Sequence, residues 1–201
     1  RNETTLVTAV GDCSCNCSDN FIKWLEKNGI RSGDVHRVSQ GHMGAYVEGY
    51  RDDLGSFPYA RAGAAFESLA QHHVTDAIRK YDSDSVGLIL TGIAHARTRN
   101  SYNIIDILEV AKHKHVVVVY AVNFRKSLWG IQDSESKQNA SDGFKAIAEY
   151  LDFCSLGKEE AEIVLGQGIA DTAQAKRYAA ESILDLGVRG GVALTGYPEA
   201  Y

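Results

Sequence analysis

The sequence predicts an α/β protein, a three-layer αβα sandwich built on a mainly parallel β-sheet. The first observation is a continuous β-branched run, Val116–Val119, which is typical of a strand buried on both faces. The second is that such runs alternate with helical periods along the chain, and this alternation predicts βαβ units. Because the crossovers of such units are right-handed, we expect helices on both faces of the sheet.

The individual elements follow from local patterns. In the stretch before the central run, Ile104, Leu108 and Ala111 recur at helical spacing and mark one buried helical face. The predicted strands are Leu6–Val10, Val86–Leu90, Val116–Val119 and Val192–Leu194. The predicted helices are Phe21–Asn28, Phe66–Tyr81, Tyr102–His113, Phe144–Tyr150 and Thr172–Leu186.

Residues 35–61 break the alternation, because they show no helical period. Two short extended runs, Ala45–Tyr50 and Ser56–Arg61, flank the turn sequence Arg51–Gly55, in which Asp-Asp-x-Gly is favourable turn chemistry. We therefore predict a β-hairpin over residues 35–61 that packs outside the main sheet as a small lid. Such an element is also a candidate surface for a homodimer.

Composition and charge narrow the classes of partner. The 201 residues are 44% hydrophobic and 23% charged, which is ordinary for a globular protein. With 21 basic and 26 acidic residues the net charge is −5, which argues against nucleic acid or an anionic membrane as a partner. No apolar run approaches the roughly 18 residues needed to span a bilayer, and none has the layout of a signal peptide. We therefore expect a cytoplasmic protein.

The cysteines raise the question of a metal site. Cys13, Cys15 and Cys17 alternate near the start of the chain, and Cys154 lies far from them. Alternating thiolates can share a soft metal ion, but a closed zinc site needs four ligands and usually has Cys-x2–4-Cys pairs. The fourth ligand would have to be Cys154 or a histidine. We therefore predict reduced loop cysteines and assign no metal ligand, and a metal-responsive module is the weakest of the functional alternatives.

Polar residues follow the central predicted strand directly. Asn123 and Arg125 come shortly after Val119, and Trp129 follows them. Ligands of open α/β sheets bind beyond the carboxyl ends of the strands, so an amide and a guanidinium at this point are well placed to meet one. The alternative is that Arg125 is a surface cation and Trp129 a core residue. The spacing alone favours neither interpretation.

Two motifs resemble a known family. The order Asn123, Arg125, Leu128 and Trp129 is similar to the Asp-x-Asn-x-Arg-x-x-Leu-Trp loop of PfkB-type (ribokinase-like) carbohydrate kinases, closest to the 2-keto-3-deoxygluconate kinases, with Ala121 in place of the leading acid. In the hairpin, Gly-Ala-Tyr and Tyr-Ala-Arg-Ala-Gly-Ala-Ala are similar to that family's Gly-Leu-Tyr and Tyr-x-Arg-x-Gly-Ser-Ala. The resemblance implies a ribokinase-like fold over residues 1–201, with 35–61 as the lid.

The resemblance also implies a substrate site. It assigns contacts with a sugar acid to Tyr46, Tyr59, Arg61 and Arg125, and Asn123 lies in the same motif. The chemistry agrees, because guanidinium groups hold carboxylates bidentately and tyrosines combine an apolar ring with a hydroxyl group. The alternative is that both tyrosines are half-buried strand aromatics, which are common in any hairpin.

A third segment implies the cofactors. Residues 153–166 resemble the part of the family that carries an Asn-x-x-Glu element, which helps to organise magnesium and phosphate. Glu160 takes the place of the glutamate, and Gly157 stands where asparagine is common. The resemblance therefore implies ATP and Mg²⁺ as cofactors, with Glu160 as the cofactor-binding residue. The alternative is a solvated glutamate favoured by the dipole at a helix start.

Taken together, the resemblance implies ATP-dependent phosphorylation of a sugar or sugar acid, with this chain as the sugar-binding part of the kinase. The family places its general base, an aspartate, in a Gly-Ala-Gly-Asp helix start that also binds the transferred phosphate, and the 201 residues contain no such sequence. We therefore assign no catalytic residue. The resemblance covers nearly all of this chain but only the middle of a complete kinase. The main alternative is a non-catalytic sugar-acid-binding pseudokinase or fragment.

The missing motif leads to a prediction about activity. We expect the 201-residue chain alone to transfer ATP phosphate at a negligible rate, because phosphoryl transfer relies on positioning and on charge stabilisation at the anion hole. A coupled kinase assay with 2-keto-3-deoxygluconate measures this rate. Turnover near the about 1–100 s⁻¹ typical of kinases would contradict the prediction.

Overall fold

Two units make up the chain, Arg1–Ala77 and Ile78–Tyr201. Both contain parallel strands joined by helices, so the predicted α/β class with mainly parallel pairing is confirmed. The computed structural model describes residues 3–12, 16–46, 59–60, 63–81, 86–98 and 104–195.

The first unit contains short strand pairs. Strand β2 pairs in parallel with β4, and β1 pairs in parallel with β3. The intervening helix α1 turns Leu25 inward, where only 1% of the residue is exposed. The elements are β1 (Thr4–Thr5), β2 (Thr8–Gly11), α1 (Cys17–Lys27), β3 (Ile30–Arg31), β4 (Val35–Val38), β5 (Ala45–Tyr46), β6 (Tyr59–Ala60), a 3-10 turn (Ala65–Ser68) and α2 (Gln71–Lys80).

The predicted hairpin is confirmed at its base and corrected at its start. Strands β5 and β6 are antiparallel, and Tyr46 lies opposite Tyr59 in their register. The predicted turn Arg51–Gly55 and Arg61 lie outside the described residues. The start of the segment is different, because Val35–Val38 forms the parallel partner of β2 instead of part of the hairpin. The sequence Val-His-Arg-Val does not alternate apolar and polar residues, so its pattern alone did not identify a strand.

The second unit is a four-stranded parallel sheet in the order β10-β9-β8-β7. Strand β8 pairs with β7 on one side and β9 on the other, which confirms the prediction that Val116–Val119 is central. The elements are β7 (Gly87–Thr91), α3 (Gly92–Thr98), α4 (Ile104–His113), β8 (Val117–Ala121), α5 (Lys126–Trp129), α6 (Asp133–Ile147), a 3-10 turn (Ala148–Tyr150), β9 (Phe153–Gly157), α7 (Lys158–Leu165), α8 (Ala173–Leu184) and β10 (Gly191–Thr195).

The two faces of this sheet differ in burial. Because each strand pairs with the next one in sequence, right-handed crossovers place the connecting helices on one face, so the described elements of this unit do not show the expected helical layer on the other face. The core-facing side chains are almost completely buried; they include Leu90, Val118, Tyr120, Cys154, Leu156 and Leu194. On the other face, Ile89 is 75% exposed, Phe153 48% and Val117 44%. The expectation that Val116–Val119 is buried on both faces is therefore wrong at Val117.

Element boundaries deviate most from the prediction at α6. The helix begins at Asp133, eleven residues before the predicted Phe144, and has 15 residues. Its first half is polar, and its buried side turns small residues such as Ser136 and Ala140 inward, so no large apolar residue marks the helical period. No helix in the described part of the chain has the length and hydropathy needed to cross a membrane.

Two isoleucines provide a matched test of this core. Ile107 on α4 is 1% exposed, whereas Ile131 after α5 is 94% exposed. We expect Ile107→Ala to lower the free energy of unfolding by about 2–5 kcal/mol, because it removes buried methyl groups and leaves a cavity. The control Ile131→Ala should change it by less than about 0.5 kcal/mol. Urea denaturation followed by circular dichroism measures both values, and similar effects of the two substitutions would contradict this assignment of the core.

Candidate functional site

The loop after β8 leaves the sheet at Asn123. The Val122 N–H donates to the Ser155 carbonyl oxygen at 3.1 Å, so pairing between β8 and β9 continues one residue past the strand. Asn123 then adopts a left-handed conformation with φ of 40°, which asparagine tolerates better than most residues. Arg125 is extended and directly precedes α5. The loop therefore lies at the carboxyl edge of the sheet, where the sequence predicted a site.

A glycine on the neighbouring strand makes this turn sterically possible. A Cβ atom on Gly92, at the start of α3, would overlap the Val122 carbonyl oxygen. The ends of β7 and β8 are therefore closer together than any other residue at position 92 would allow. The Thr91 hydroxyl accepts a hydrogen bond from the Ala94 N–H at 3.4 Å, which caps α3 at the same edge.

Glu160 connects the loop to the adjacent strand. Its Oε1 accepts a hydrogen bond from the Phe124 N–H at 2.7 Å, and its Oε2 accepts one from the Gly157 N–H at 2.6 Å. Phe124 follows β8, and Gly157 is the last residue of β9. One carboxylate on the first turn of α7 thus holds the ends of two central strands. Glu160 is half-buried in the first turn of α7, so it remains partly solvated while both of its oxygens accept backbone hydrogen bonds.

An apolar cluster packs against the loop that follows β8. Its buried members are Ala96, Trp129, Ala140 and Ile163, and Phe124 and Leu128 pack against them. Trp129 is 4% exposed, so it is a core residue, as the alternative interpretation held. A Cβ atom on Gly143 of α6 would lie 2.8 Å from the Trp129 ring. The indole therefore occupies space that only a glycine leaves open.

A buried polar pair lies beside this cluster and was not predicted. His95 on α3 is 5% exposed; its Nδ1 shares a hydrogen bond of 3.0 Å with the Tyr120 hydroxyl group, and its ring meets Trp129 edge-on at 5.2 Å. Burial raises the pKa of Tyr120, and the negative charge of Glu160 raises it further. The hydroxyl group therefore stays protonated. No pattern in the sequence identifies an isolated histidine as a partner for a residue 25 positions away.

Arg125 is half-buried, and its charge is not neutralised by a described carboxylate. Its Nη1 donates to the Phe124 carbonyl oxygen at 2.8 Å, and no ion pair forms between it and any residue that the structure describes. Some other cations in this unit are paired: Lys126 lies 3.2 Å from Asp133, and Arg189 lies 3.0 Å from Asp152. The remaining donors of the Arg125 guanidinium are thus available to an anionic ligand.

The other predicted substrate residues have different outcomes. Asn123 and Arg125 lie in one loop, and Glu160 binds the backbone between them. The backbones of Tyr46 and Tyr59 face each other in the hairpin of the first unit. Arg61 lies outside the described residues. The participation of both tyrosines and of Arg61 in a site therefore stays a prediction.

The cysteines show no metal chemistry in the part of the chain that can be described. Cys13 and Cys15 lie outside it, and Cys17 is an exposed thiol at the start of α1. Burial raises the pKa of the Cys154 thiol to about 12, so this residue is an inert part of the core. Among residues 3–12, 16–46, 59–60, 63–81, 86–98 and 104–195, no group of three His, Cys, Asp or Glu side chains could hold a metal ion.

Magnesium with a nucleotide requires fewer protein ligands than a closed metal site. Mg²⁺ is usually held by one or two carboxylates together with substrate phosphates and water. Each oxygen of Glu160 accepts one backbone N–H, and a carboxylate oxygen has a second lone pair. Glu160 therefore fits a supporting role toward Mg²⁺–ATP at this edge.

Comparison with solved structures identifies the architecture. The chain matches a PfkB protein from Polaromonas sp. JS666 with a TM-score of 0.76 at 18% identity, over 99% of this chain and 63% of that one. It matches a 2-dehydro-3-deoxygluconokinase from Thermotoga maritima with a TM-score of 0.73 at 21% identity, over 94% and 56% of the two chains. A fructokinase from Xylella fastidiosa gives 0.69 at 18% identity, over 96% and 55%.

This is the ribokinase-like fold. The match confirms the predicted fold class, and the chain spans 55–63% of the length of these three structures. The sequence matches no family model and no curated protein. Because a 2-dehydro-3-deoxygluconokinase and a fructokinase share the fold, the fold alone does not identify the sugar.

The conformation of Asn123 leads to a prediction about stability. At a positive φ, we expect Asn123→Gly to change the free energy of unfolding by less than about 0.5 kcal/mol and Asn123→Ala to lower it by about 1 kcal/mol. Ser127, an exposed residue in α5, is a matched control where the order should reverse, because alanine is the better helix former. Urea denaturation of the four variants gives the comparison. An alanine at position 123 that is as stable as the glycine would contradict the left-handed assignment.

Proposed function

We propose that this chain is the sugar-binding part of an ATP-dependent carbohydrate kinase that phosphorylates a sugar acid similar to 2-keto-3-deoxygluconate. One observation carries the proposal. A half-buried guanidinium without a described carboxylate partner lies at the carboxyl edge of the central strand, in a fold shared with sugar kinases. Ligands of open parallel sheets bind at this edge.

The charge at this edge favours an acid over a neutral sugar. A guanidinium presents a planar fork of donors that matches the two oxygens of a carboxylate. Arg125 is partly shielded from water, so its attraction to an anion is screened less than that of a fully exposed cation. The amide group of Asn123, two residues earlier, offers both a donor and an acceptor for sugar hydroxyl groups.

Three residues of the hairpin segment also remain proposed substrate-binding residues. Tyr46 lies opposite Tyr59 in the register of β5 and β6, and Arg61 follows Tyr59 by two residues. Two phenol groups and a guanidinium have the chemistry to contact the hydroxyl groups and the carboxylate of a sugar acid, as the family resemblance implies. A homodimer formed through this hairpin also stays a prediction.

ATP and Mg²⁺ are the proposed cofactors, and they would supply the phosphoryl group and neutralise its charge. The task of the chain itself is positioning, which accounts for much of the catalysis in phosphoryl transfer. Arg125 would orient the sugar acid. Glu160 would help to organise Mg²⁺ and the phosphate groups of ATP, and its hydrogen bond to the Phe124 N–H would hold the loop. Similarity to structures named as kinases favours this function over that of a binding protein without catalysis.

Substitution of Arg125 tests the proposal. We expect Arg125→Ala to weaken sugar-acid binding at least about tenfold, because each charge-assisted hydrogen bond contributes about 1.5–3 kcal/mol and about 1.4 kcal/mol is a factor of ten. Arg125→Lys should recover only part of this affinity, since an ammonium group cannot reproduce the planar fork. Calorimetric titration with 2-keto-3-deoxygluconate, gluconate and ribose measures the affinities.

Arg177 provides the control. It is an exposed arginine on α8 that pairs with Glu181. Arg177→Ala therefore removes the same type of side chain at a position outside the loop. That variant should bind sugar acids as the wild type does, and ribose should be insensitive to every substitution. Equal affinities of the wild type and both Arg125 variants would show that Arg125 is a surface cation and would refute the proposal.

A further inference from the structure

The amide of Phe124 depends on a side chain from another element. Its N–H donates to Glu160 Oε1, and its ring packs on the cluster that contains Trp129 and Ile163. The ring and the amide are thus two separate attachments of the same residue. Glu160 and Ile163 both belong to α7, so this helix supplies the hydrogen-bond acceptor and one member of the cluster.

The second oxygen of Glu160 holds a different strand. Oε2 accepts from Gly157, the residue that ends β9 and precedes α7. Two charge-assisted bonds to backbone amides, one from each strand end, fix the carboxylate in both position and orientation. The N-terminal end of α7 stabilises its negative charge as well.

The loop that carries Asn123 has a less common backbone conformation. Asn123 has φ of 40°, in the left-handed region that asparagine adopts more readily than most residues, and the bond at the following residue helps to hold it there. The Phe124 amide is the next backbone donor along the chain, and Arg125 follows directly. Loss of the bond to Glu160 would let the backbone at 123–125 relax, and the amide of Asn123 and the guanidinium of Arg125 would move with it.

We infer that Glu160 is a positioning residue that fixes the sugar-binding loop through the Phe124 N–H. The inference rests on the proposed function, because it assigns Glu160 a part in substrate affinity. It differs from the role toward magnesium and phosphate, since the bridge between β8 and β9 needs neither. Sugar affinity should therefore depend on Glu160 in the absence of nucleotide and metal.

Three variants test this inference. Glu160→Gln keeps the size of the side chain but has one carbonyl oxygen, so it can hold only one of the two amides. Glu160→Asp keeps the charge at the helix start but is one methylene too short to bridge both strand ends. The control is Glu162→Gln on the same helix, because Glu162 Oε1 accepts a backbone bond of 3.0 Å from Ile169 instead.

Two measurements are made on the full chain without ATP or Mg²⁺. Amide NMR reports the bonds directly: in both Glu160 variants the Phe124 proton should shift upfield and exchange with solvent at least about tenfold faster. In Glu162→Gln only the Ile169 amide should respond. Calorimetry with 2-keto-3-deoxygluconate should show an at least about tenfold loss of affinity, or about 1.4 kcal/mol, for both Glu160 variants and less than twofold for the control.

The outcomes separate this inference from the proposed function. If the Phe124 amide responds while affinity stays at the wild-type value, the inference is overturned and the proposed function stands. If affinity falls while the Phe124 amide is unchanged, Glu160 acts by another route and the inference is also overturned. If the wild type binds no sugar acid, the proposed function fails, and the inference fails with it.

Discussion

Everything at the candidate site depends on the parallel pairing of β8 with both of its neighbours. That pairing brings the segments that follow β7, β8 and β9 to one edge of the sheet. The chain leaves the sheet there at Thr91, Val122 and Gly157. Parallel strands align their carboxyl ends, so residues up to 36 positions apart in sequence, such as Phe124 and Glu160, come within hydrogen-bond distance. Without this alignment, Glu160 would be an ordinary acidic residue at a helix start.

Two kinds of interaction hold the loop at residues 123–125: hydrogen bonds to Glu160 and packing against an apolar cluster. One carboxylate, that of Glu160, accepts hydrogen bonds from two backbone amides at the edge of the sheet. Phe124, Leu128 and Trp129 extend the core to the base of the loop. Close packing there requires the absence of a side chain at Gly143. In the proposed function a well-held loop matters, because a preformed site avoids the entropic cost of ordering its residues when the ligand binds.

The strands with strong β-branched patterns and the helix with an apolar face could be predicted from the sequence, since their periods are local properties. Helix α6 was recognised only at its C-terminal end, because small polar residues such as Ser136 and Ser141 carry its inward face and give no apolar period. Strand β9 and the helices α3 and α7 were not predicted. Arg125 and Asn123 were identified because they follow a strand directly. The contact between Glu160 and Phe124, and the pair of His95 with Tyr120, join separate elements, and no local pattern encodes them.

The positive charge of Arg125 at the carboxyl edge of the sheet bears on the type of ligand, which the fold alone does not identify. Structures named as a 2-dehydro-3-deoxygluconokinase and a fructokinase have the same architecture, so the backbone is compatible with more than one sugar. A half-buried Arg125 loses part of its hydration in the free protein, and from the described residues it gains one hydrogen bond to a backbone carbonyl and no ion pair. Such a cost is tolerated where a ligand offsets it, and an anionic ligand offsets it best. In the proposed function, the preference for an acidic over a neutral substrate rests on this one side chain and on the bonds that hold its backbone in place.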